Sequence, residues 1–568
     1  MMRFFRVFLL IRTGRHLGMR QVATRAARVA ERAWWRVTRA AAPSAPNVQR
    51  REYEPLWRDL PEDEIAIERA AEVIAGRFTF LGESRARSWN VADASHLWRF
   101  HLHYFDYLRD LAIFALHRDR AAAYATFRDL VTSWIDTHTR LGGDAWHPYT
   151  ISLRIVNWCE AAIVFRPEPG FAARLHESIA AQAEFLSRHL ENDVRGNHLL
   201  ENARALLRAA EFFDGDAPRE WRRIASRLLE REIPEQILGD GGHFERAPGY
   251  HLRVMQVLAD CGVDVSRMRE FLDAIVPPNG RLPLLKDTAS VSIATHTPQP
   301  SRWLEPSGYA VMRDDARGDH LIADFGRVCP DYLPAHAHAD MFSYELTIGG
   351  QPVIVDSGVF EYAEGEWRNW FRSTAAHNTV EIDGRDQSEM WGSFRVGRRA
   401  RVLRASWNET PERITIDGVH DGYAPLHHRR VITALHEPRL WIVLDHISGE
   451  PGPIARSFIH LHPDRPQLAF TPIGPVTISE TTGWYSEQFG VKQKNRVITL
   501  TAPTPAWFGY VIAAGETAPR ATLAEKGNGV VIEISTESWK GEVEVLGSRD
   551  KLTSNRFFRS WVLQPRRL

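Results

Sequence analysis

The sequence contains few cysteines: three among 568 residues, at Cys159, Cys261 and Cys329. They lie far apart and lack the close spacing of metal-binding cysteines, so neither a disulfide framework nor a cysteine-rich metal site is expected. An excess of charge is also missing, because 71 lysines and arginines balance 71 aspartates and glutamates. The protein as a whole therefore has no net charge that would attract nucleic acid, and affinity for an anionic substrate must come from local residues.

A long apolar run is missing as well. The run at residues 7–11 is short, and Arg12 and Arg15 follow it directly. A membrane span needs about 20 apolar residues, and a cleavable signal peptide needs a longer apolar core. The sequence therefore predicts no transmembrane segment and no clear signal peptide, which favours a cytoplasmic or membrane-peripheral location.

The first fifty residues are strongly basic, with eleven arginines against one acid, Glu31. We interpret residues 1–50 as a basic helical lead-in that ends in an Ala/Pro-rich linker at residues 40–47. A basic amphipathic helix can lie on a membrane surface, so peripheral membrane contact is one interpretation of this segment. A solvated helical lead-in is an equally good interpretation.

The chain is too long for one ordinary domain. From about residue 60 to residue 261, apolar residues recur with the period of about 3.6 that is typical of helices. Repeated helices of this kind predict an α/α toroid over residues 51–300. After a connection rich in Pro, Gly, Ser and Thr, short β-branched segments predict an antiparallel β-sandwich over residues 301–568. The expected fold class is therefore a multidomain α and β protein.

Histidines are concentrated in residues 334–380. His336 and His338 precede a predicted strand, a Gly-Gly pair follows it, and the return strand leads to Asp356 and then to His377. Glycines between β-branched segments are typical of a hairpin, which brings Asp356 back toward His338. A set of two histidines and an aspartate suits zinc or a related divalent ion. A buried structural cluster is the alternative interpretation.

Two predicted helix starts carry further polar residues. Asn197 is a good N-cap, and the next residue, His198, shares a helical face with Glu201. Tyr250 follows a Gly-rich loop and begins another helix. Other polar and aromatic residues near helix ends are candidates for substrate binding, although core packing is an equally good role for them. These candidates are Tyr104, Tyr149, Arg154, Glu201 and Glu245.

Taken together, these motifs resemble those of the heparinase II/III-like polysaccharide lyases and their alginate-lyase relatives. The resemblance is strongest at residues 196–203, 240–251, 334–358 and 377–380. It implies an α/α toroid joined to an antiparallel β-sandwich, with the active site between them. It also implies a periplasmic location as an alternative.

The same resemblance implies roles for individual residues. The residues that match the catalytic set are Asn197, His198, Tyr250 and His336. The residues that match the metal ligands of the β domain, with zinc as the expected ion, are His338, Asp356 and His377. We expect the tyrosine and the catalytic histidine on opposite sides of one sugar, with the Asn-His pair facing its carboxylate.

The implied reaction is β-elimination on an anionic polysaccharide or oligosaccharide that contains uronic acid. The proton at C5 becomes acidic once Asn and His donors offset the carboxylate charge, and histidine and tyrosine serve as base and acid. Two alternatives stay open. Glu201 and Glu245 would be the opposed carboxylates of a glycoside hydrolase, and a non-catalytic polysaccharide-binding or export protein would use the same scaffold without chemistry.

Overall fold

The computed structural model describes residues 2–293, 297–465, 467–515 and 517–547, with side chains described from residue 8 onward. The last part of the predicted β domain, residues 548–568, lies outside the described residues. The helices are α1 (Met2–Gly14), α2 (Met19–Thr38), α3 (Glu64–Ile74), α4 (His96–Tyr104), α5 (Tyr107–His117), α6 (Arg120–Thr137), α7 (Pro148–Phe165), α8 (Pro169–Arg188), α9 (Asn197–Phe212), α10 (Asp216–Gln236), α11 (Pro248–Asp260), α12 (Ser266–Ile275) and α13 (Glu366–Phe371).

The strands begin as short pairs within the helical region and then dominate the chain from residue 302. They are β1 (Gln49–Arg50), β2 (Arg77–Phe80), β3 (Glu83–Ala86), β4 (Phe213–Asp214), β5 (Arg302–Leu304), β6 (Tyr309–Asp314), β7 (Asp319–Asp324), β8 (Tyr344–Ile348), β9 (Gln351–Ile354), β10 (Val380–Ile382), β11 (Met390–Trp391), β12 (Arg395–Val396), β13 (Val402–Glu409), β14 (Arg413–Tyr423), β15 (Leu426–Leu435), β16 (Leu440–Ser448), β17 (Ile454–His460), β18 (Phe470–Ile473), β19 (Thr477–Gln488), β20 (Val491–Pro503), β21 (Ala506–Ala513), β22 (Arg520–Lys526), β23 (Gly529–Ser535) and β24 (Lys540–Val545).

The helices α3–α12 form one helical unit around a common apolar core. Local signals place several of their starts. The Asp119 carboxylate, for example, accepts hydrogen bonds from the backbone of Ala121 and Ala122 at 2.9 and 3.0 Å, a cap that contributes about 1 kcal/mol. The prediction of a helical N-terminal domain followed by an antiparallel β-sandwich is confirmed.

Three details of the helical prediction are wrong. The β2–β3 hairpin and the strand β4, which pairs with β1, interrupt a region that was expected to be helical almost throughout. The apolar period predicts a single helix from about residue 97 to residue 117, but this segment forms two helices, because Phe105 takes a left-handed backbone conformation with φ of 61°. Asn197 is the first residue of α9, and Gly196 occupies the N-cap position.

The β region consists of stacked antiparallel sheets. A five-stranded sheet (order β5-β6-β7-β8-β9) and a four-stranded sheet (order β10-β17-β20-β19) share a core with a six-stranded sheet (order β13-β14-β15-β16-β21-β18). The opposite face of the six-stranded sheet packs against a three-stranded sheet (order β22-β23-β24). Because its two faces are both covered, the central strands β15 and β16 are buried along almost their whole length.

The five-stranded sheet joins the helical and β regions. On β6, Tyr309 and Val311 pack into the helical core, whereas Ala310 and Met312 pack into the core of the sandwich. Successive side chains of a strand point to opposite faces, so one sheet contributes to both cores. The site described below lies along this joint. Among the described residues, no helix has both the length and the hydropathy needed to span a bilayer.

Candidate active site

The two regions meet closely at the start of α9. Gly196 has a positive φ of 58°. A Cβ atom there would lie 2.4 Å from the Leu333 side chain and 3.1 Å from a carboxylate oxygen of Glu245. Glycine is the residue that accepts both this conformation and this contact. The first turn of α9 is thereby held directly against the connection that carries the histidines of the β region.

His198 forms a buried ion pair at the start of α9. Its Nδ1 donates to Glu191 Oε1 at 2.9 Å, and Asn202 Nδ2 donates to the other carboxylate oxygen at 3.0 Å. The Tyr149 ring lies against the imidazole, with ring centroids 4.2 Å apart. Burial lowers the pKa of His198, but the nearby carboxylates, Glu191 first among them, together raise it by more, so the net pKa is raised. A partly exposed imidazole whose charged form is stabilised by Glu191 therefore lies beside Asn197 at the helix start.

We expect Glu191→Gln to destabilise the protein by up to about 3 kcal/mol at neutral pH. Burial raises the pKa of Glu191, but His198 and other nearby donors together lower it by more, so that the pKa falls to about 2 from the usual 4.5. A depressed carboxyl pKa gives stability that is fully present above about pH 4.5 and is lost as the pH falls toward about 2. Urea unfolding over this pH range measures the effect.

The control is Glu230→Gln, which changes an exposed glutamate on α10. It should leave the free energy of unfolding unchanged at every pH, whereas Glu191→Gln should reduce the loss of stability between about pH 4.5 and about pH 2. The same loss of stability over this range in the wild type and in Glu191→Gln would contradict the ion pair.

Tyr250 lies in the first turn of α11 and contacts the β region. Its ring stacks on that of His336, with centroids 3.5 Å apart and planes inclined by 22°. Its hydroxyl lies 3.2 Å from the hydroxyl of Tyr362. Burial, and then Tyr362, raise the pKa of Tyr250 well above its usual 10. The hydroxyl therefore carries its proton at neutral pH.

The expectation that Tyr250 and His336 lie on opposite sides of one sugar is wrong. Rings stacked at 3.5 Å leave no space for a sugar between them. The two rings contact each other directly instead.

Asp287 organises the histidines, and the sequence analysis missed it. Its carboxylate lies 3.0 Å from His336 Nδ1 and 2.9 Å from His338 Nε2, and it also accepts from Arg368 Nη2 at 2.8 Å. Burial raises the pKa of Asp287, but Arg368 and the two imidazoles hold it well below its usual range. No motif marks this residue, because it lies in the connection between the two regions, 49 residues before His336.

Because Asp287 is ionised, it determines which nitrogen of each of the two histidines carries a hydrogen. A carboxylate only accepts hydrogen bonds, so His336 Nδ1 and His338 Nε2 both carry a hydrogen directed toward it. The Nε2 atom of a neutral His336 then has a free lone pair. That atom lies 3.5 Å from the carboxylate of Glu245, whose pKa is raised by burial.

The predicted metal ligands lie next to this group. His377 Nδ1 donates to Asp356 Oδ2 at 2.7 Å, and the other oxygen of Asp356 accepts from the Gly358 backbone at 3.0 Å. The His338 and His377 rings are 5.2 Å apart. In the part of the chain that the structure describes, His338 Nδ1 and His377 Nε2 are buried without a hydrogen-bond partner.

The metal site stays a prediction. Two buried imidazole nitrogens without a hydrogen-bond partner among the described residues suit a divalent ion. Asp356, which was predicted as a third ligand, accepts a hydrogen bond from His377, as carboxylates around metal-binding histidines do. Nevertheless, within residues 2–293, 297–465, 467–515 and 517–547, no three histidine, cysteine, aspartate or glutamate side chains are arranged to hold one ion. The nearby Asp340 is not available to the histidines, because it accepts from the buried Lys286 ammonium at 2.9 Å.

Three of the five predicted substrate-binding residues are buried. Arg154 is not placed to bind a substrate, because it is fully buried and its guanidinium donates to Gln182 and to the backbone of His103 and Ala145. Tyr104 packs in a small apolar cluster. Glu201 is 1% exposed and accepts from Arg253 Nε at 2.7 Å.

The other two candidates contact site residues, and one further residue joins them. Tyr149 lies against His198, and Glu245 lies beside His336. Arg253 was missed, although it follows Tyr250 by three residues and so shares its helical face. Its side chain is 37% exposed and pairs with Glu201, so a partly exposed guanidinium lies on the face of α11 that carries Tyr250.

Solved structures with the same fold include a heparinase III and a heparan sulfate lyase. A crystal structure of heparinase III matches with a TM-score of 0.73 at 16% identity, over 88% of this chain and 93% of that chain. The heparan sulfate lyase of Pedobacter heparinus matches with a TM-score of 0.58 at 20% identity, over 87% of this chain and 91% of that chain. At these identities the likeness shows the fold.

Two curated proteins are similar to this chain in sequence. A heparin-sulfate lyase of Bacteroides stercoris is 23% identical over 365 residues, which is 55% of this chain and 53% of that protein. A heparin-sulfate lyase of Pedobacter heparinus is 24% identical over 361 residues, or 54% of this chain and 52% of that protein. The chain thus aligns with about half the length of these relatives.

Family models cover most of the chain. The model described as heparinase II/III N-terminus matches residues 77–303. The model described as heparinase II/III-like, C-terminal, matches residues 296–536. The two matches follow one another along the helical region and the β region, and they include every predicted catalytic residue. The chain therefore belongs to the heparinase II/III-like family.

Proposed function

We propose that this protein is a polysaccharide lyase that cleaves a uronic-acid-containing polysaccharide by β-elimination. The observation that carries the proposal is the contact across the joint between the two regions. Tyr250 of the helical region stacks on His336 of the β region, beside the His198–Glu191 pair. The heparin-sulfate lyases among its relatives support the same reaction class.

In this proposal, the start of α9 receives the uronate carboxylate. His198 has a raised pKa because of Glu191, and it faces the ligand as a cation beside Asn197. Hydrogen bonds and positive charge at the carboxylate stabilise the negative charge that develops when the C5 proton leaves. Arg253, on the face of α11 that carries Tyr250, adds a second cation for an anionic polymer.

His336 and Tyr250 are the proposed base and acid. The C5 proton passes to the free Nε2 of His336, whose Nδ1–H is held by Asp287. The C4–O bond breaks, its oxygen takes the Tyr250 proton, and a double bond forms between C4 and C5. Because the two rings lie on the same side of the substrate, proton removal and protonation of the leaving oxygen occur on one face of the sugar.

The hydrolase alternative is less well supported. A glycosidase needs two carboxyl groups that flank the bond to be cleaved. Glu201 is buried and paired with Arg253 and Arg204, so it is not available as an acid or nucleophile. Only one of the two candidate carboxyl groups, Glu245, remains near the proposed catalytic residues.

The test is incubation of the purified protein with heparan sulfate, chondroitin sulfate and alginate. We expect ultraviolet absorbance from the new 4,5-double bond to rise together with new reducing ends on at least one polymer. Reducing ends without absorbance would indicate a hydrolase. Binding without either signal would indicate a non-catalytic polysaccharide-binding protein, and both of these results would contradict the proposal.

We propose in addition that His338 and His377 hold a divalent ion, with zinc expected and Asp356 orienting His377. When bound, the ion would supply positive charge that fixes the histidine-bearing segments. We expect elemental analysis to find zinc and a chelator to lower the melting temperature. His338→Ala and His377→Ala should lose the metal.

The control for the metal is His420→Ala. His420 is a buried histidine that contacts His428 at 2.9 Å in the sandwich, so its loss should lower stability while metal content stays unchanged. Absence of any divalent metal, with a melting temperature that a chelator does not change, would contradict the metal proposal.

A further inference from the structure

The helix α2 has an unusual orientation on the protein. Its inward side is mainly polar: Gln21 donates to the backbone of Asp193 and Tyr332 at 3.1 and 3.4 Å. Arg28 donates to the backbone of Leu190 at 3.1 Å and pairs with Glu31 at 2.9 Å. Hydrogen bonds and ion pairs, together with Trp35, thus hold this helix in place.

The apolar side of α2 faces outward. Met19 is 90% exposed, Val29 is 65% exposed and Val37 is 81% exposed. With Val22 and the alanines between them, these side chains recur every three or four residues and form one continuous stripe. A surface helix normally buries such a stripe against its own protein. We call this outward face of α2 the apolar stripe.

The helix α1 extends the exposed apolar surface. Phe8, Leu10 and Ile11 are each more than half exposed. About half of the large apolar side chains that are exposed in the described residues lie in α1 and α2. A concentration of this size marks an interaction surface rather than scattered surface residues.

Both helices are attached to the rest of the molecule. In α1, Thr13 donates to the Val396 backbone at 3.2 Å and accepts from Trp391 at 3.0 Å. In α2, Trp35 packs against Phe185, with ring centroids 5.6 Å apart. The contacts of Thr13 attach α1 to the β region, and the contact of Trp35 attaches α2 to the helical region. The exposed surface is therefore supported by both.

The charge around the apolar stripe is positive. Arg20, Arg32 and Arg36 are exposed along its two sides. Glu31, the single acid in α1 and α2, faces inward, where it pairs with Arg28 and with His189 at 3.0 Å. The outward surface thus combines apolar side chains with positive charge and carries no acid.

We propose that α1 and α2 form a docking surface for an anionic lipid bilayer. The apolar stripe enters the boundary between headgroups and acyl chains, and the flanking arginines contact anionic headgroups. Trp34, 66% exposed at the border of the stripe, suits the headgroup level, where tryptophan is enriched. A second copy of this chain fits less well, because a two-fold contact through this surface would bring arginines against arginines.

The test is co-sedimentation of the full chain with vesicles. We expect binding to vesicles of phosphatidylcholine mixed with phosphatidylserine, weaker binding to phosphatidylcholine alone, and a decrease with added salt. Val22→Gln with Val29→Gln should weaken binding by at least about tenfold, because the apolar contact is lost. The matched control is Ile65→Gln with Val491→Gln, which changes exposed apolar residues elsewhere and should leave binding unchanged.

A second variant tests the charge separately. Arg32→Gln with Arg36→Gln should weaken binding to the anionic vesicles by about fivefold per arginine. The control Arg128→Gln with Arg223→Gln changes exposed arginines on α6 and α10 and should have little effect. All of these substitutions are at exposed side chains, and melting temperatures check that folding is retained.

Three results would overturn the proposal. The first is no binding to anionic vesicles at low salt, and the second is an equal loss of binding in the controls. The third is a dimer in sedimentation equilibrium that Val22→Gln with Val29→Gln dissociates, without vesicle binding, because the partner would then be a second copy. The vesicle experiment contains no polysaccharide, so its outcome is independent of the proposed lyase activity.

Discussion

Replacing Tyr250 by phenylalanine is expected to lower turnover by about 10²–10⁴-fold, the usual effect of losing a catalytic acid or base. The substitution removes one hydroxyl and keeps the ring that stacks on His336, so the contact between the two regions should persist. Turnover is measured from the absorbance of the unsaturated product, on whichever polymer the wild type cleaves. Melting curves report whether the fold is retained.

The matched control is Tyr124→Phe. Tyr124 lies on α6, and its hydroxyl accepts from the Glu168 backbone at 3.3 Å, outside the proposed site. This variant should retain turnover. Full activity in Tyr250→Phe would defeat the mechanism, even with the family and the fold correct.

Two neighbouring histidines should respond differently to the same substitution. His336→Ala is expected to lower turnover about as much as Tyr250→Phe while leaving metal content unchanged. His338→Ala removes a buried ring nitrogen that has no hydrogen-bond partner in the part of the chain that the structure describes, from a ring whose centroid lies 5.2 Å from that of His377, so it should mainly lower metal content and stability. Equal turnover and equal metal content in both variants would contradict the separate roles.

Asp287→Leu is expected to destabilise the protein by about 3–5 kcal/mol, the cost of leaving a buried charge unpaired. Asp287 and Arg368 are both fully buried, and the guanidinium of Arg368 would lose the carboxylate that neutralises it. Urea unfolding at neutral pH measures the change. The control is Asp136→Leu, which breaks an exposed ion pair with Arg174 and should cost at most about 1 kcal/mol.

A double substitution separates the loss of a charge from the loss of a contact. Arg368→Met combined with Asp287→Leu removes both charges, so it should recover part of the stability that Asp287→Leu loses, because no unpaired charge stays buried. Turnover should remain low, since His336 then lacks the carboxylate that holds its Nδ1–H. A double variant less stable than Asp287→Leu would contradict the assigned cause.

The hairpin after His338 shows what short-range patterns reveal. Gly349 and Gly350 both have positive φ, 59° and 75°, and they connect β8 to β9 as expected. A glycine pair between β-branched segments encodes this turn within a few residues. The apolar period of residues 120–137 likewise predicts a helix over these residues, and α6 has these bounds, because this period is a local feature.

Arg154 shows where such patterns stop being informative. A charged residue near the start of a helix is a reasonable ligand contact, and nothing in the adjacent sequence indicates that Trp134 covers its guanidinium at 4.0 Å. The orientation of α2 is a similar case. Its amphipathic period is visible in the sequence, but which side faces the protein depends on the backbone groups that Gln21 and Arg28 reach.

By itself, the sequence determined the fold class and the family resemblance, because these rest on periodicity and on short motifs, and the same motifs marked Asn197, His198, Tyr250 and His336 as candidates for catalysis. Only the tertiary structure showed that the tyrosine and histidine rings stack on one side of the site. It also brought Asp287 to two histidines and to Arg368, which lies 81 residues away. The physical reason is that local conformation follows from neighbours along the chain, whereas the partner of a buried charge depends on how distant segments pack together.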